Sequence, residues 1–597
     1  MGTFEQLPRW EQRFRAARFT LPAWAKQAPE RCVFVSDRTG TAQVYFWDRS
    51  LGEVRQVTDR PSGARHCAVE SSGRALWWFA DTDGDEFGQW MRQPLDGGPA
   101  APAAPGTGKS WPSGLAMGLA GHTLLGCSTE EGTSIHLVRP GGKTRDLYRH
   151  KEAAYAVDLS RSLDLAVIAH SERGDLWDLG VRVLDLRGAP VADIATGGEG
   201  LQAIGFAPVL GDSRLLLLHH LDDRWEPVIV DPHSGEQSDI RLRLPGDLQV
   251  EWCAGGSALL IQQDHQARSR LYRYDLTARQ LTELPVPSGT IEHARARPDG
   301  DVWLLRSSSA QPPQLTSLAS APGFPAGLLP PESVAAQDLW ADGPGGPVHA
   351  LVSLPPGVAG PCPAVFLLHG GPDEHDQDAF DPVVAAWVDH GFAVVRVNYR
   401  GSTGYGPAWT EALRQAVGLT ELEDVAAIRS LAVQQGLVDP GRLVLAGWSW
   451  GGYLTLLGLG TQPLDWAVGL AGAPVADPAA AYRDSMEEIR ALDRSLFGGT
   501  PDEVPDRYRA ASPSTYLGSV RSPVLVIAAA NDARCPPGQI EAYAEALSER
   551  GVPCAYHLTD DGHSTTSADN RVALFRLQLE FAMTHLRPAG PPAGQTM

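Results

Sequence analysis

The sequence predicts two folds in series, a seven-bladed β-propeller over residues 31–322 and a mostly parallel α/β domain over 336–590, joined by a linker at 323–335. Three observations carry this. Short strand-like runs recur at a near-constant interval through the first half, the chain turns rich in Pro and Gly from about residue 308, and apolar runs then alternate with helical patterns.

In the first half the runs VFVSD, WWFAD, LLGCS, VIAHS, LLLLHH, LLIQQD and VWLLRS end at Asp37, Asp81, Ser128, Ser171, His220, Asp264 and Ser307, at intervals of 43 to 49 residues. Most are followed by a second strand-like segment such as QVYFWD or EPVIVD, across turn signals such as Thr39-Gly40 and Arg173-Gly174. Short strands repeating at this period are what four-stranded propeller blades require, because each blade buries its faces only against its neighbours. Seven repeats imply seven blades. Two local features are read as structural: Asp81, Asp83, Asp85 and Glu86 (DTDGDE) lack the glycine and glutamate spacing of a calcium loop and read as a solvated blade loop, and His219-His220 closes a strand without companion ligands. The stretch AQPPQLTSLASAPGFPAGLLPPES reads as a last outer strand followed by the linker.

In the second half the apolar runs AVFLLHGG, FAVVRVNYRG, RLVLAG, WAVGLAG, PVLVIAAAND and CAYHL are near-continuous, as strands buried on both faces by crossover helices are. Segments 417–436 and 566–586 carry helical spacing. At the end of RLVLAG stands Gly447-Trp448-Ser449-Trp450-Gly451-Gly452. Small residues two before and two after Ser449 permit a tight strand-to-helix turn that exposes its hydroxyl. The serine needs a base, and the only lysines are Lys26, Lys109, Lys143 and Lys151, so histidine is the ordinary candidate. Of His557, His563 and His585, only His563 lies in a loop directly after a strand. Asp532, closing PVLVIAAAND, falls between serine and histidine at a strand end, whereas Asp560 and Asp561 stand too near His563. The order Ser449, Asp532, His563 is that of an α/β-hydrolase. An oxyanion needs two N–H donors: the backbone of Trp450, which follows the nucleophile, and one from the loop His369-Gly370-Gly371-Pro372. This constellation calls for no cofactor and no metal.

A repeat of propeller type followed by HGGP, NYRGSTGYG, GWSWGGY, NDARCP and DDGH resembles the prolyl oligopeptidase family of serine peptidases, most closely its acylaminoacyl-peptidase and dipeptidyl-aminopeptidase branch. The resemblance implies a triad of Ser449, Asp532 and His563, an oxyanion hole of the Gly371 and Trp450 amides, and a substrate-binding role for Arg534, whose alternative is a surface ion pair. It also implies a short peptide or acylated peptide as substrate, and an N-terminal segment, 1–30, that packs on the hydrolase domain. His369 stands where other members place an oxyanion-hole tyrosine, Trp450 replaces the commoner tyrosine, and Glu130-Glu131 does not match the setting of an ammonium-binding pair. The rival readings are an amidase or esterase acting on a small acylated metabolite, and an interaction protein with a vestigial hydrolase domain.

Composition excludes other classes. With 50 Lys and Arg against 71 Asp and Glu, the 597 residues carry a net charge of −21, which repels nucleic acid. An apolar content of 43% with 20% charged residues is globular. The seven cysteines are scattered with no CxxC pair, the first thirty residues carry charges throughout, and no run approaches a membrane span. A cytoplasmic protein with reduced thiols is expected, and the sequence leaves self-association into a homo-oligomer open.

Overall fold

The computed structural model describes residues 4–195, 200–319, 322–358 and 360–586. The expected C-terminal limit at residue 590 lies outside them. Seven antiparallel sheets follow one another over 23–56, 67–102, 111–150, 154–194, 201–239, 247–284 and 290–317. The apolar runs of the repeat form the second strand of each sheet, where neighbours cover both faces; Leu165–His170 is buried at every position. Two first strands, Ala23–Ala25 and Cys67–Val69, are too short to leave a pattern, and the other five mix buried with exposed or half-buried positions. Among the described residues the seventh sheet has three strands, with Gln314–Ser317 the third and no outer strand after it.

Blades one and seven remain separate sheets, so side chains close the ring. Trp303 of blade seven stacks on Trp47 of blade one with centroids 5.9 Å apart, and meets Trp24 edge-on. Arg297 lies 4.1 Å over the Trp303 ring and Arg49 4.8 Å over it. Both Arg297 and Trp303 are only 1% exposed. Cations held against indole faces away from water gain the full quadrupole attraction.

The second domain is built on one eight-stranded sheet: β1 (Gln337–Gly343), β2 (Gly346–Ser353), β3 (Cys362–Leu368), β4 (Ala393–Asn398), β5 (Val438–Trp448), β6 (Val468–Gly472), β7 (Val524–Ala529) and β8 (Cys554–Thr559). Their order across the sheet is β1-β2-β4-β3-β5-β6-β7-β8, antiparallel at the β1 edge and parallel from β4 onward. The first two strands were not among the apolar runs, since β1 alternates exposed and buried residues. Pleating sends Phe366, Leu445 and Val526 into a core on one face and Val365, Val444 and Leu525 into a core on the other. Helix α1 (Arg9–Arg15) joins the second core from the far end of the sequence. Its Phe14 packs 5.3 Å from Phe575, and its buried Arg13 bonds Asp389 at 2.8 Å and the Pro331 carbonyl at 2.6 Å. Among the described residues, no helix is long and apolar enough to cross a membrane.

Trp303→Ala should lower stability by about 3–5 kcal/mol in urea unfolding. Leu464→Ala, at a side chain 90% exposed, should stay within about 0.5 kcal/mol.

Candidate active site

The site grows from a backbone constraint between β5 and helix α2 (Trp450–Thr461). A Cβ on Gly447 would lie 2.3 Å from the Gly451 carbonyl carbon, one on Gly451 2.1 Å from the Leu368 oxygen, and one on Gly452 2.5 Å from the Gly472 oxygen. Only glycine lets the helix start this close to β3 and β6. The turn between them forces Ser449 to φ 56° and ψ −119°, a region that a residue with a side chain enters only when its surroundings hold it there. The Ser449 N–H donates to the Gly472 carbonyl at 2.9 Å and anchors it.

Ser449 Oγ lies 3.0 Å from His563 Nε2, and His563 Nδ1 lies 2.8 Å from Asp532 Oδ2. The other Asp532 oxygen accepts the N–H groups of Arg534 at 2.9 Å and Cys535 at 2.8 Å, so its position is fixed on both sides. Asp532 and His563 are buried. The loop carrying His563 is held by Trp448, whose Nε1 donates to the His563 carbonyl at 2.9 Å, and by Asn531, whose Nδ2 donates to the Asp560 carbonyl at 2.9 Å. The rival groups lie elsewhere: Asp561 accepts from Asn570, His557 is exposed on β8, and His585 packs on Phe581.

Two donors can face a negative oxygen beside Ser449. Trp450 opens helix α2, so its N–H belongs to the first turn and has no intrahelical acceptor. The His369–Pro372 loop approaches from β3, with Gly370 so near that a Cβ there would lie 3.8 Å from Ser449 Cβ, and Gly371 follows at φ 116°. His369 braces this loop from behind. It stacks on Tyr399 at 4.2 Å, its Nδ1 donates to the Gly370 carbonyl at 2.8 Å, and its Nε2 accepts from the Ser402 hydroxyl at 2.8 Å. Burial pushes its pKa down to about 3, so it stays neutral. The Tyr399 hydroxyl donates to the His369 carbonyl at 2.9 Å and is thereby occupied.

A cavity of about 700 Å³ lies between the domains, walled by Tyr155, Trp177, His220 and Asp247 from the blades and by Gly371, Glu374, Glu488 and Arg534 from the hydrolase side. His220, read as purely structural, therefore also faces this space while packing 5.7 Å from Trp225. The DTDGDE segment differs from expectation. It is pressed against the loop of His563, with Gly562 so close that a Cβ there would lie 2.0 Å from the Gly84 oxygen. Its Glu86 receives Arg534 Nε at 3.1 Å and Nη2 at 2.9 Å, an ion pair that crosses the domains and leaves Nη1 without a protein acceptor among the described residues. Sequence reasoning missed Glu488 and Tyr155 as wall residues and Glu86 as the partner of Arg534. Glu86 stands 448 positions from Arg534, and no local pattern announces the pair.

Residues 378–589 match the model of the prolyl oligopeptidase family. The dipeptidyl aminopeptidase BIII of Pseudoxanthomonas mexicana is 25% identical over 477 residues, 76% of this chain and 60% of that protein. The acylamino-acid-releasing enzyme of Arabidopsis thaliana is 30% identical over 226 residues, 36% of this chain and 29% of that protein. The matched part thus spans less than two thirds of these relatives' lengths. The structure of a Mycobacterium tuberculosis puromycin-hydrolyzing peptidase superposes with a TM-score of 0.79 over 98% of this chain and 97% of its own, at 21% identity, which establishes the shared fold.

Gly451→Ala should reduce labelling of Ser449 by a fluorophosphonate about 100-fold, because opening the turn by about 1 Å removes the serine from line with His563. Mass spectrometry of the labelled chain reads the loss.

Proposed function

We propose, from the match of residues 378–589 to the prolyl oligopeptidase family model, that the chain is a serine oligopeptidase hydrolysing peptide or acyl-amide bonds of short peptides. The observation that supports this most is the unbroken relay from Ser449 through His563 to Asp532, at 3.0 and 2.8 Å, on a strained turn. His563 Nε2 takes the Ser449 proton as Oγ attacks the carbonyl carbon, and Asp532 holds the proton on Nδ1. The Gly371 and Trp450 amides receive the negative oxygen of the tetrahedral intermediate. The C–N bond then breaks, the amine leaves with the proton from His563, and water hydrolyses the acyl-enzyme by the same route.

Arg534 is assigned to a substrate carbonyl upstream of the scissile bond through Nη1, with Glu86 fixing its guanidinium. A cavity of about 700 Å³ falls in the range of roughly 300–1,000 Å³ that small ligands fill, which suits short peptides and excludes folded proteins. Blade one begins at Ala23, inside the expected 1–30 segment, so we assign the propeller to 23–317, the hydrolase domain to 336–590 and the chain to the cytoplasm, a compartment consistent with seven unpaired cysteines.

Among the described residues, the cavity wall carries five carboxylates, Asp247, Asp373, Glu374, Glu411 and Glu488, against the single arginine, Arg534. Burial pushes the Asp247, Glu374 and Glu488 carboxyls above their ordinary range. A carboxyl raised in this way is neutral at low pH and gains its charge as pH rises.

Three outcomes test the reading. Asp532→Asn should lower kcat by about 10⁴-fold in chromogenic peptide hydrolysis while circular dichroism stays unchanged. Parallel peptide and ester assays should both register activity lost in Ser449→Ala; activity on esters alone would overturn the peptidase reading. Peptides carrying Lys or Arg should exceed their Glu counterparts in kcat/KM by about tenfold at low salt. That preference should grow as pH rises through the carboxyl range, as a pH series of the two substrates would read.

A further inference from the structure

The groups around Ser449 also form a set of a second kind. Asp532, Cys535 and His563 each offer one ligand atom, the three lie within 4.8 Å of one another, and all three residues are buried. Acyl transfer uses the carboxylate and the imidazole but has no task for the Cys535 thiol. Cys535 touches the relay through its backbone N–H, which donates to Asp532 Oδ1 at 2.8 Å.

Carboxylate, imidazole and thiolate are the three side-chain donors that Zn²⁺ accepts, at about 2.0–2.3 Å. Ligand atoms at those distances on a tetrahedron stand roughly 3.3–3.8 Å apart, so a pair at the 4.8 Å limit must close by about 1.0–1.5 Å, while His563 Nδ1 and Asp532 Oδ2, at 2.8 Å, must part if both serve as ligands. Charge also matches. A carboxylate, a thiolate and a neutral imidazole cancel the dication, leaving a buried site with no net charge. A thiolate donor selects soft and borderline cations over Mg²⁺ and Ca²⁺.

We propose that Asp532, Cys535 and His563 form a zinc-binding site whose occupancy switches Ser449 off; the switching, though not the binding, rests on the peptidase reading above. On binding, the Cys535 proton leaves to solvent and His563 donates a ring lone pair. If Nε2 holds the metal, no lone pair remains for the Ser449 proton. If Nδ1 holds it, the proton of the neutral ring sits on Nε2, with the same result. The fourth position is open to water or to Ser449 Oγ.

The test uses the full chain, stripped with a chelator. Titration with Co²⁺ should give a thiolate-to-cobalt charge-transfer band at one ion per chain, abolished by Zn²⁺ and by Cys535→Val or Cys535→Ser. Ser449→Ala should keep the band while hydrolysing nothing, which separates binding from activity. Relative to each protein's own metal-free rate, the zinc concentration for half-inhibition of peptide cleavage should rise at least about tenfold in both Cys535 variants, and Mg²⁺ should not inhibit. A wild-type chain without the band overturns the proposal, and this holds even if a variant fails to fold. Variants inhibited as strongly as the wild type overturn it too. A band in a chain that hydrolyses no substrate supports the site and overturns the peptidase reading instead.

Discussion

The close approach of Gly451 to the carbonyls of Leu368 and His369 governs the rest of the catalytic geometry. Because helix α2 starts against β3, its first free N–H groups and the His369–Pro372 loop are brought to the same serine. The strain at Ser449 is the cost of that approach, and it is met by the packing of β5 between β3 and β6, where every residue from Leu443 to Leu445 is fully buried. A turn with a Cβ at this point would move the serine, the donors and the contact with His563 together.

The second determinant is the propeller. It does more than cover the site, since the loop at Gly84 touches the loop of His563 and Glu86 fixes Arg534. Neighbouring contacts share this pattern: Arg571 pairs with Asp37 at 2.5 Å, and the Ala568 N–H donates to the Gly40 carbonyl at 2.8 Å. Elements that carry His563 and Arg534 thus take part of their support from blades one and two. Any separation of the domains on that side loosens the His563 loop as it opens the cavity.

Much of this was legible in the sequence, for identifiable reasons. The blade count was readable because the second strand of each blade is apolar, while the first strands, in which buried positions mix with exposed or half-buried ones, left only gaps of the right length. The turn at Ser449 was readable because backbone proximity demands glycine at fixed offsets, and His563 because lysine is absent beyond residue 151 and its two rivals occupy a strand and a helix. What stayed hidden depends on side chains meeting across domains. DTDGDE looks like any polar hairpin until the fold sets Glu86 beside Arg534. Cys535 reads as one of seven scattered thiols until Asp532 and His563 gather around it. Blade seven ends at Ser317 because the chain beyond it is rich in Pro, which cannot donate to a ladder, and in Gly, which disfavours strands.

That short blade has a mechanical meaning. Six of the seven junctions in the ring join blades that follow one another along the chain, but the last joins the two ends of the propeller, and there, as at the other junctions, no shared sheet joins the blades. Its tightness is therefore a matter of composition at a few positions, chiefly Trp24, Trp47, Arg297 and Trp303. Substitution at these four can tune how firmly the circle is fastened while every blade keeps its own hydrogen bonds, so the propeller has a clasp that is adjustable independently of its links.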